Sequence, residues 1–328
     1  MYPVASRSVA RNKLARTLTL RIASVLLILL VLSFITFTLL YLAPGDLVKN
    51  LLGNRPSTPE AIAAVRAQYH LDDPFLVRYV DWLLSALRGD FGVSIRLQQP
   101  VTMVIASRIG VTTGLIGLSF LVAVVSAIPL GILSAARNGT RIDRASNAVS
   151  LFGLSAPSFA LAILAISVFA LWIPIFPAYG AGNGGIDRLW HLVLPAAVLA
   201  AGIGAILMRM TRAAVLRELE SDAITFARSR GVTEGTIQRI ALRGALIPIV
   251  TSAGLILTFI IGGTIIVETV FALPGIGQLL QEAVLFKDLP VVQAITLLIA
   301  AAIAIITIIV DVSYLLLDPR VRARELNA

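Results

Sequence analysis

The sequence predicts an all-α polytopic membrane protein with six transmembrane helices and both termini in the cytoplasm. Three observations carry that prediction. Apolar residues (AVILMFWYC) make up 58% of the 328 residues and charged residues only 14%. Soluble domains hold about 45–50% apolar residues even with Gly counted, and about 25% charged. Six stretches free of Asp, Glu, Lys and Arg are long enough to cross a bilayer core of about 30 Å as helices. Arg and Lys gather in alternate connecting segments, as orientation by positive charge on the inside requires. Cysteine is absent, which excludes disulfide frameworks and thiolate metal sites.

Residues 1–21 form a basic cytoplasmic N-terminus with Arg7, Arg11, Lys13, Arg16 and Arg21 and no acid. The first span is 22–43. Its 22-residue core exceeds the roughly 7–15 apolar residues of a signal peptide, so it reads as a retained anchor. Residues 44–100 form an external segment with six charges of each sign. Ser57-Thr58-Pro59-Glu60 is a helix-start pattern, after which Ile62, Val65 and Tyr69 share a face. Asp73-Pro74 begins a second helix. Leu76, Val80, Leu83, Leu84 and Leu87 make its apolar stripe, opposite Arg78, Asp81, Ser85 and Arg88. Two readings fit this pair: helices lying on the outer membrane surface or capping the bundle, and a docking surface for an external partner.

Span two is 101–136 and a cytoplasmic loop follows over 137–146. The charge-free stretch 145–186 holds 42 residues, enough for two spans. Its later part, Ile173-Pro174-Ile175-Phe176-Pro177 and Tyr179-Gly180-Ala181-Gly182-Asn183-Gly184-Gly185, has turn composition. It is therefore assigned one span, 147–172, and an external loop, 173–188. A seventh span would also carry the Arg-rich segment 209–243 to the outside. Span four is 189–208, with Arg209 and Arg212 at its cytoplasmic end. In 209–243 a helix-forming run from Ala213 to Arg230 stops at Gly231. A polar helix from Glu234 then leads through Arg239 and Arg243 into span five, 244–267. An external loop, 268–288, span six, 289–317, and a cytoplasmic tail, 318–328, with Arg320, Arg322 and Arg324 complete the chain. The net charge of +9 is thus topological and does not point to nucleic acid.

Catalytic patterns are missing. The two histidines, His70 and His191, form no H-E-x-x-H. Gly117-Leu118-Ser119 and Gly153-Leu154-Ser155 lack the closing Gly of a nucleophile elbow. No Lys follows a Gly, so no Walker loop exists. Gly180, Gly182 and Gly185 match G-x-G-x-x-G without the strand that a dinucleotide site needs. The spans instead carry small, weakly polar residues, which suit tight helix packing or a pore wall without fixed charge. Prolines 129, 157, 195, 248 and 290 are candidate kink sites.

Several motifs resemble one family. Ala43-Pro44-Gly45-Asp46 is similar to its A-P-G-D. Leu71-Asp72-Asp73-Pro74, with Tyr79, Trp82 and Arg88-Gly89-Asp90-Phe91-Gly92-Val93-Ser94, resembles its external helix pair and R-G-D-[LF]-G-x-S. Ser155-Ala156-Pro157-Ser158-Phe159 and His191-Leu192-Val193-Leu194-Pro195-Ala196 resemble S-x-P-S-F and H-L-x-L-P-A. Phe226-Ala227-Arg228-Ser229-Arg230-Gly231 resembles T-A-R-A-K-G. Glu268-Thr269-Val270-Phe271, Pro274-Gly275-Ile276-Gly277 and Asp288-Leu289-Pro290-Val291-Val292-Gln293 resemble the signature before the last span. The family is the B-type inner-membrane permease subunit of dipeptide/oligopeptide/nickel ABC importers.

The resemblance implies the ABC type I importer permease fold and no catalytic residues. It implies a cytoplasmic coupling loop containing Glu218, Asp222, Phe226, Ala227, Arg228, Arg230 and Gly231. Thr225-Phe226-Ala227 stands where the family's E-A-A would be. Candidate pathway residues are Ser155, Ser158, Phe159, Met208, Ser252 and Glu268. Candidate docking residues for an external binding protein are Asp90, Phe91, Pro274, Gly275, Gly277 and Asp288. The implied partners are a second homologous permease subunit, two ATPase subunits, an external substrate-binding protein and the lipid bilayer. The resemblance also implies no cofactor in this chain, with ATP and Mg bound by the ATPase subunits. The alternatives are a stand-alone secondary transporter, an importer of nickel, metal chelate or glutathione on the same architecture, and a membrane enzyme.

Overall fold

The structure, a computed structural model, describes residues 7–42, 48, 58–68 and 72–317. The A-P-G-D motif at 43–46, Leu71, most of 44–57 and the tail 318–328 lie outside the described residues. Among the described residues there are eleven α-helices and no strand, only an isolated bridge between Val93 and Pro100. They are α1 (Arg7–Leu42), α2 (Pro59–Gln68), α3 (Phe75–Leu87), α4 (Val101–Ala136), α5 (Arg141–Ser155) and α6 (Ser158–Ile166), then α7 (Gly185–Leu219), α8 (Asp222–Ser229), α9 (Glu234–Val270), α10 (Ile276–Leu285) and α11 (Leu289–Leu317). Five are long and apolar enough to cross a membrane, or six spans if the bent pair α5–α6 counts as one.

The single span expected over 147–172, with Pro157 as a candidate kink site, is broken into this pair rather than only kinked. It bends by 102° at Ala156-Pro157. Pro157 disfavours helical backbone at Ala156, which is extended (φ −79°, ψ 124°). After α6 the chain adds a π-helical turn, Ser167–Trp172. Pro129, Pro195 and Pro248 lie inside unbroken helices.

Two further elements differ from expectation. The run 213–230 is not one helix. It breaks at Glu220-Ser221, and Ser221 accepts a capping bond from the Ile224 amide (3.4 Å). The segment 268–288, expected as an external loop, contains α10, whose Ile276, Leu279 and Ala283 are buried.

The chain divides into two compact units. In one, built on Thr112–Leu273 and 305–317, α7 packs against α5, α6 and α9. Ala123, Ala127, Leu207 and Ile256 form one core cluster, and Ala135, Val215, Ala245 and Ile249 a second. Small residues allow the approach. A Cβ on Gly131 would lie 2.7 Å from the Met208 carbonyl and 2.8 Å from Thr211 Cβ, so no larger residue fits without moving backbone.

The other unit is Leu18–Val111 with Pro274–Ala304. Its core joins Val101 and Val104 to Ile276, Leu279, Val291 and Ile295, with Phe91 packed against them. Asp288 pins its loops. It is 2% exposed and accepts from the Ser94 hydroxyl and from the amides of Ile95 (3.0 Å) and Arg96 (3.2 Å). Arg96 then pairs with Glu282 (2.7 Å) and lies over the Phe286 ring at 4.0 Å. Asp288→Ala leaves three donors without their acceptor. The expected cost is about 3 kcal/mol, read as a lower melting temperature of the purified protein and faster proteolysis within 94–100.

Four helices, α3 at Gly89 (φ +83°) among them, close with the same turn, in which a left-handed residue past the helix end bonds back to it. Gly231 (φ +80°) does so after α8, Ala272 (φ +49°) after α9 and Lys287 (φ +56°) after α10. Alanine pays about 1–2 kcal/mol for left-handed backbone. Ala272→Gly is therefore expected to stabilise the protein by up to about 1 kcal/mol net of glycine's entropy, read as a higher melting temperature.

Candidate functional site

The segment from Glu220 to Thr233 connects two long helices, α7 and α9, through the short helix α8. Both ends of α8 are capped. Ser221 caps one end. At the other, the amide of Val232 donates to the Ala227 carbonyl (3.2 Å) and that of Gly231 to the Arg228 carbonyl (2.9 Å). Ile224 is buried at 2% exposure and anchors α8 on its inner face. Arg228 reaches across the turn to Glu234 in the first turn of α9 (3.0 Å). Both side chains are half exposed, so the pair braces the elbow with little energy.

The outer face is different. Phe226 is 59% exposed, and the Arg230 guanidinium stacks on its ring at 4.6 Å. An aromatic held rigid at the tip of a bonded elbow has the character of an interface anchor. Asp222 and Arg228 are exposed and Ala227 is half-buried. Glu218 stands apart, on α7, with its side chain over Gly244 of α9. The structure thus brings Phe226, Arg228, Arg230 and Gly231 together and gives Glu218 a packing place.

A cluster the sequence reading missed supports this region. Asp143, at the start of α5, is 5% exposed. It accepts from Arg212 of α7 through Nε (2.7 Å) and Nη2 (2.9 Å), from the Ser134 hydroxyl of α4 (2.6 Å) and from the Gly139 amide (3.0 Å). Arg212 also donates to Asn138 (2.9 Å). Three helices, α4, α5 and α7, therefore meet on one carboxylate. Hydrogen bonding by Arg212 holds the Asp143 carboxyl well below the usual carboxylate range, against burial, which pushes it up. Its folded-state pKa lies below the unfolded one. The stabilisation is therefore complete at neutral pH and is lost as pH falls through and below the ordinary carboxylate range. Thr140-x-x-Asp143 was the legible signal, since Thr140 is the cap of α5. The long-range partner Arg212 was not legible.

The pathway candidates divide. Ser155, Ser158 and Phe159 flank the 102° break; Ser155 and Phe159 are exposed and Ser158 is half-buried. Met208 and Ser252 are each 4% exposed and lie between helices, Ser252 bonding to the Pro248 carbonyl (2.7 Å). Glu268 is fully buried on α9 and accepts from the Thr112 hydroxyl of α4 (2.6 Å). The docking candidates divide as well. Asp90 and Pro274 are exposed. Phe91, Gly275, Gly277 and Asp288 are built into their unit's packing. Of the remaining motif residues, His191 bonds to the Asp187 carbonyl (2.9 Å) within one turn of α7.

Comparison with known proteins gives this arrangement a family. Residues 127–323 match the binding-protein-dependent transport system inner membrane component, and residues 14–116 match the N-terminal part of such membrane components. A peptide transport system permease protein of Brucella abortus is 37% identical over 92% of this chain and 97% of its own length. A peptide permease protein of Brucella suis is 38% identical over 90% and 95%. The glutathione transport system permease protein of Escherichia coli O1:K1 is 36% identical over 90% and 94%. Among solved structures, an inward-facing conformation of the MetNI methionine ABC transporter aligns with TM-score 0.54 at 20% identity. It covers 66% of this chain and 97% of that one, a likeness of fold. The chain belongs to the binding-protein-dependent inner membrane components, the permease subunits of ABC importers, and is a multi-pass protein of the bacterial inner membrane.

Proposed function

We propose that this chain is one pore-forming subunit of an ATP-driven importer of peptides. It pairs with a second homologous permease subunit, two ATPase subunits that bind ATP and Mg and carry out hydrolysis, and an external substrate-binding protein. The observation that carries the reading is the elbow at α8: short, fully capped at both ends and tipped by the exposed Phe226. A rigid elbow between two long helices transmits a push from a partner to both of them at once. The spans then rock between inward and outward access, with Ser155, Ser158 and Phe159 at the bend of span three beside the route. The protein itself performs no chemistry and holds no cofactor.

The reading includes six spans, with α5–α6 as the bent third, both termini in the cytoplasm, and the segment boundaries drawn from the sequence. The absence of cysteine makes this directly testable. Single cysteines at 138 or 225 are expected to react with membrane-impermeant maleimide only after the cells are opened. One at 180 is expected to react in intact cells. The reverse pattern would overturn the orientation.

Peptide cargo rests on the relatives named for peptides and for glutathione, itself a tripeptide. A wall with few fixed charges suits varied peptides held by weak contacts, with selection left to the binding protein. Mass spectrometry of the ligand carried by the co-encoded binding protein tests this. A peptide is expected; a metal chelate alone would reassign the cargo.

A further inference from the structure

The amphipathic helix α3 touches α1 with less than its whole apolar surface. Its contact is aromatic: Tyr79 donates to the Leu30 carbonyl (3.3 Å) and shares a hydrogen bond with the Ser33 hydroxyl (2.7 Å). Phe75 and Tyr79 pack against Phe34 and Phe37, and Trp82 against Phe37, with ring centroids 5.2–5.9 Å apart. Beside this face runs a second apolar sector. Leu76, Val77, Val80, Leu84 and Leu87 are 47–76% exposed. The 3.6-residue period places them together, between the α1-facing sector and a polar sector of Arg78, Asp81, Ser85 and Arg88.

The position of the contact on α1 says what covers the second sector. Leu30, Ser33, Phe34 and Phe37 lie well inside the charge-free stretch that begins at Ile22. They are roughly 9–20 Å short of its end at residue 43, at 1.5 Å rise per residue. For Phe34 and Phe37, on which the α3 rings pack, the depth is roughly 9–14 Å, within one leaflet, about half of a hydrocarbon core about 30 Å thick. Leu30 and Ser33, which the Tyr79 hydroxyl reaches, lie near the middle of that core. The α1 side chains around the contact, among them Leu26, Leu27, Leu30, Val31 and Ile35, are themselves apolar and 47–60% exposed. The exposed sector of α3 continues that lipid-facing surface.

We infer that α3 is an interfacial helix sunk into the leaflet at the C-terminal end of α1, its second apolar sector covered by lipid acyl chains and its polar sector turned to water. A helix with one apolar and one charged face lies in the interface in this way, and Arg78 and Arg88 are long enough to reach the headgroups. The inference does not depend on the cargo or on the coupling mechanism. It decides between the two readings of this segment in favour of lipid over a docked protein.

The cysteine-free chain again supplies the test. Leu76→Cys, Val80→Cys, Leu84→Cys and Asp81→Cys are labelled with a nitroxide in the assembled importer in phospholipid bilayers, with transport activity as the folding control. Collision with oxygen, which partitions into lipid, is compared with collision with an aqueous nickel chelate. The labels at 76, 80 and 84 are expected to favour oxygen and the label at 81 the chelate. Chelate access at all four positions overturns the inference. So does protection of 76, 80 and 84 that appears only when the external binding protein is added, since a protein would then be the cover.

Discussion

Reversing charge at Arg228 together with Gly231→Pro is expected to abolish ATPase association and ATP-driven uptake while leaving membrane insertion unchanged. Each change acts on the elbow for a stated reason. Gly231 sits at φ +80°, whereas proline is locked near −65°. Its amide also donates to the Arg228 carbonyl (2.9 Å), and proline has no amide to give. The turn that stops α8 therefore cannot form. Arg228→Glu turns the brace to Glu234 (3.0 Å) into a repulsion across the same turn. A milder companion isolates the contact from the scaffold. Phe226→Ala leaves every backbone bond of α8 in place and removes only the exposed ring. For an aromatic anchor the loss of binding is expected at about 2 kcal/mol or more, roughly thirtyfold in affinity. Co-purification of the ATPase subunits at wild-type level with both variants would contradict the docking role. Failure of the double variant alone would show only that the turn matters.

Asp143→Ala is expected to lower stability by about 3 kcal/mol, the low end for breaking a buried ion pair. The figure is at the low end because the Arg212 side chain is 21% exposed and can be partly rehydrated. The Ser134 hydroxyl and the Gly139 amide lose their acceptor as well. Because α4, α5 and α7 meet at this carboxylate, uptake is expected to fall with stability. A double-mutant cycle separates pair from environment. Arg212→Leu in the Asp143→Ala background removes the unpaired charge, and its cost is expected to be well below the sum of the single effects. Additive losses, measured by thermal unfolding in detergent, would show that the two residues act independently.

Much of the architecture was legible because it rests on local signals. The lack of charge over 109–136 and 244–267 and the glycine at 231 each state their consequence within a few residues. The bend at Ala156-Pro157 was half legible. A proline in a span announces a kink, but whether the helix continues, as it does at Pro129, Pro195 and Pro248, is decided by packing. The break at Glu220-Ser221 carried a capping signal in Ser221-Asp222. Strong helix formers before it, Leu216 to Leu219, and the alanines at 223 and 227 after it masked it. Helix α10 was also present in the pattern, with Ile276, Leu279, Leu280 and Ala283 spaced for one face. The glycines at its start, Gly275 and Gly277, read as a loop motif instead.

The roles of single site residues were less legible, because they depend on partners far away in sequence. Asp288 reads as an exposed loop acid, yet it is consumed by the backbone at 95–96, almost two hundred residues earlier. Glu268 reads as a pathway charge, and its place, buried on α9 and accepting from the Thr112 hydroxyl of α4, depends on a residue far away in sequence. Arg228 reads as a free docking charge, and its partner Glu234 lies within its own elbow. The exposed ring of Phe226 was visible only as a departure from the family pattern. Its stacking under Arg230 makes it the strongest docking candidate in the segment.

The central claim is that this chain conducts nothing unless a separate ATPase acts on the elbow. The most direct measurement is labelled-peptide uptake into proteoliposomes carrying the chain alone, the chain with its permease partner, or the full assembly with binding protein and ATPases. Uptake is expected only in the full assembly with ATP and Mg, and is expected to vanish with a non-hydrolysable ATP analogue. Accumulation by the chain alone, driven by an ion gradient without nucleotide, would contradict the account.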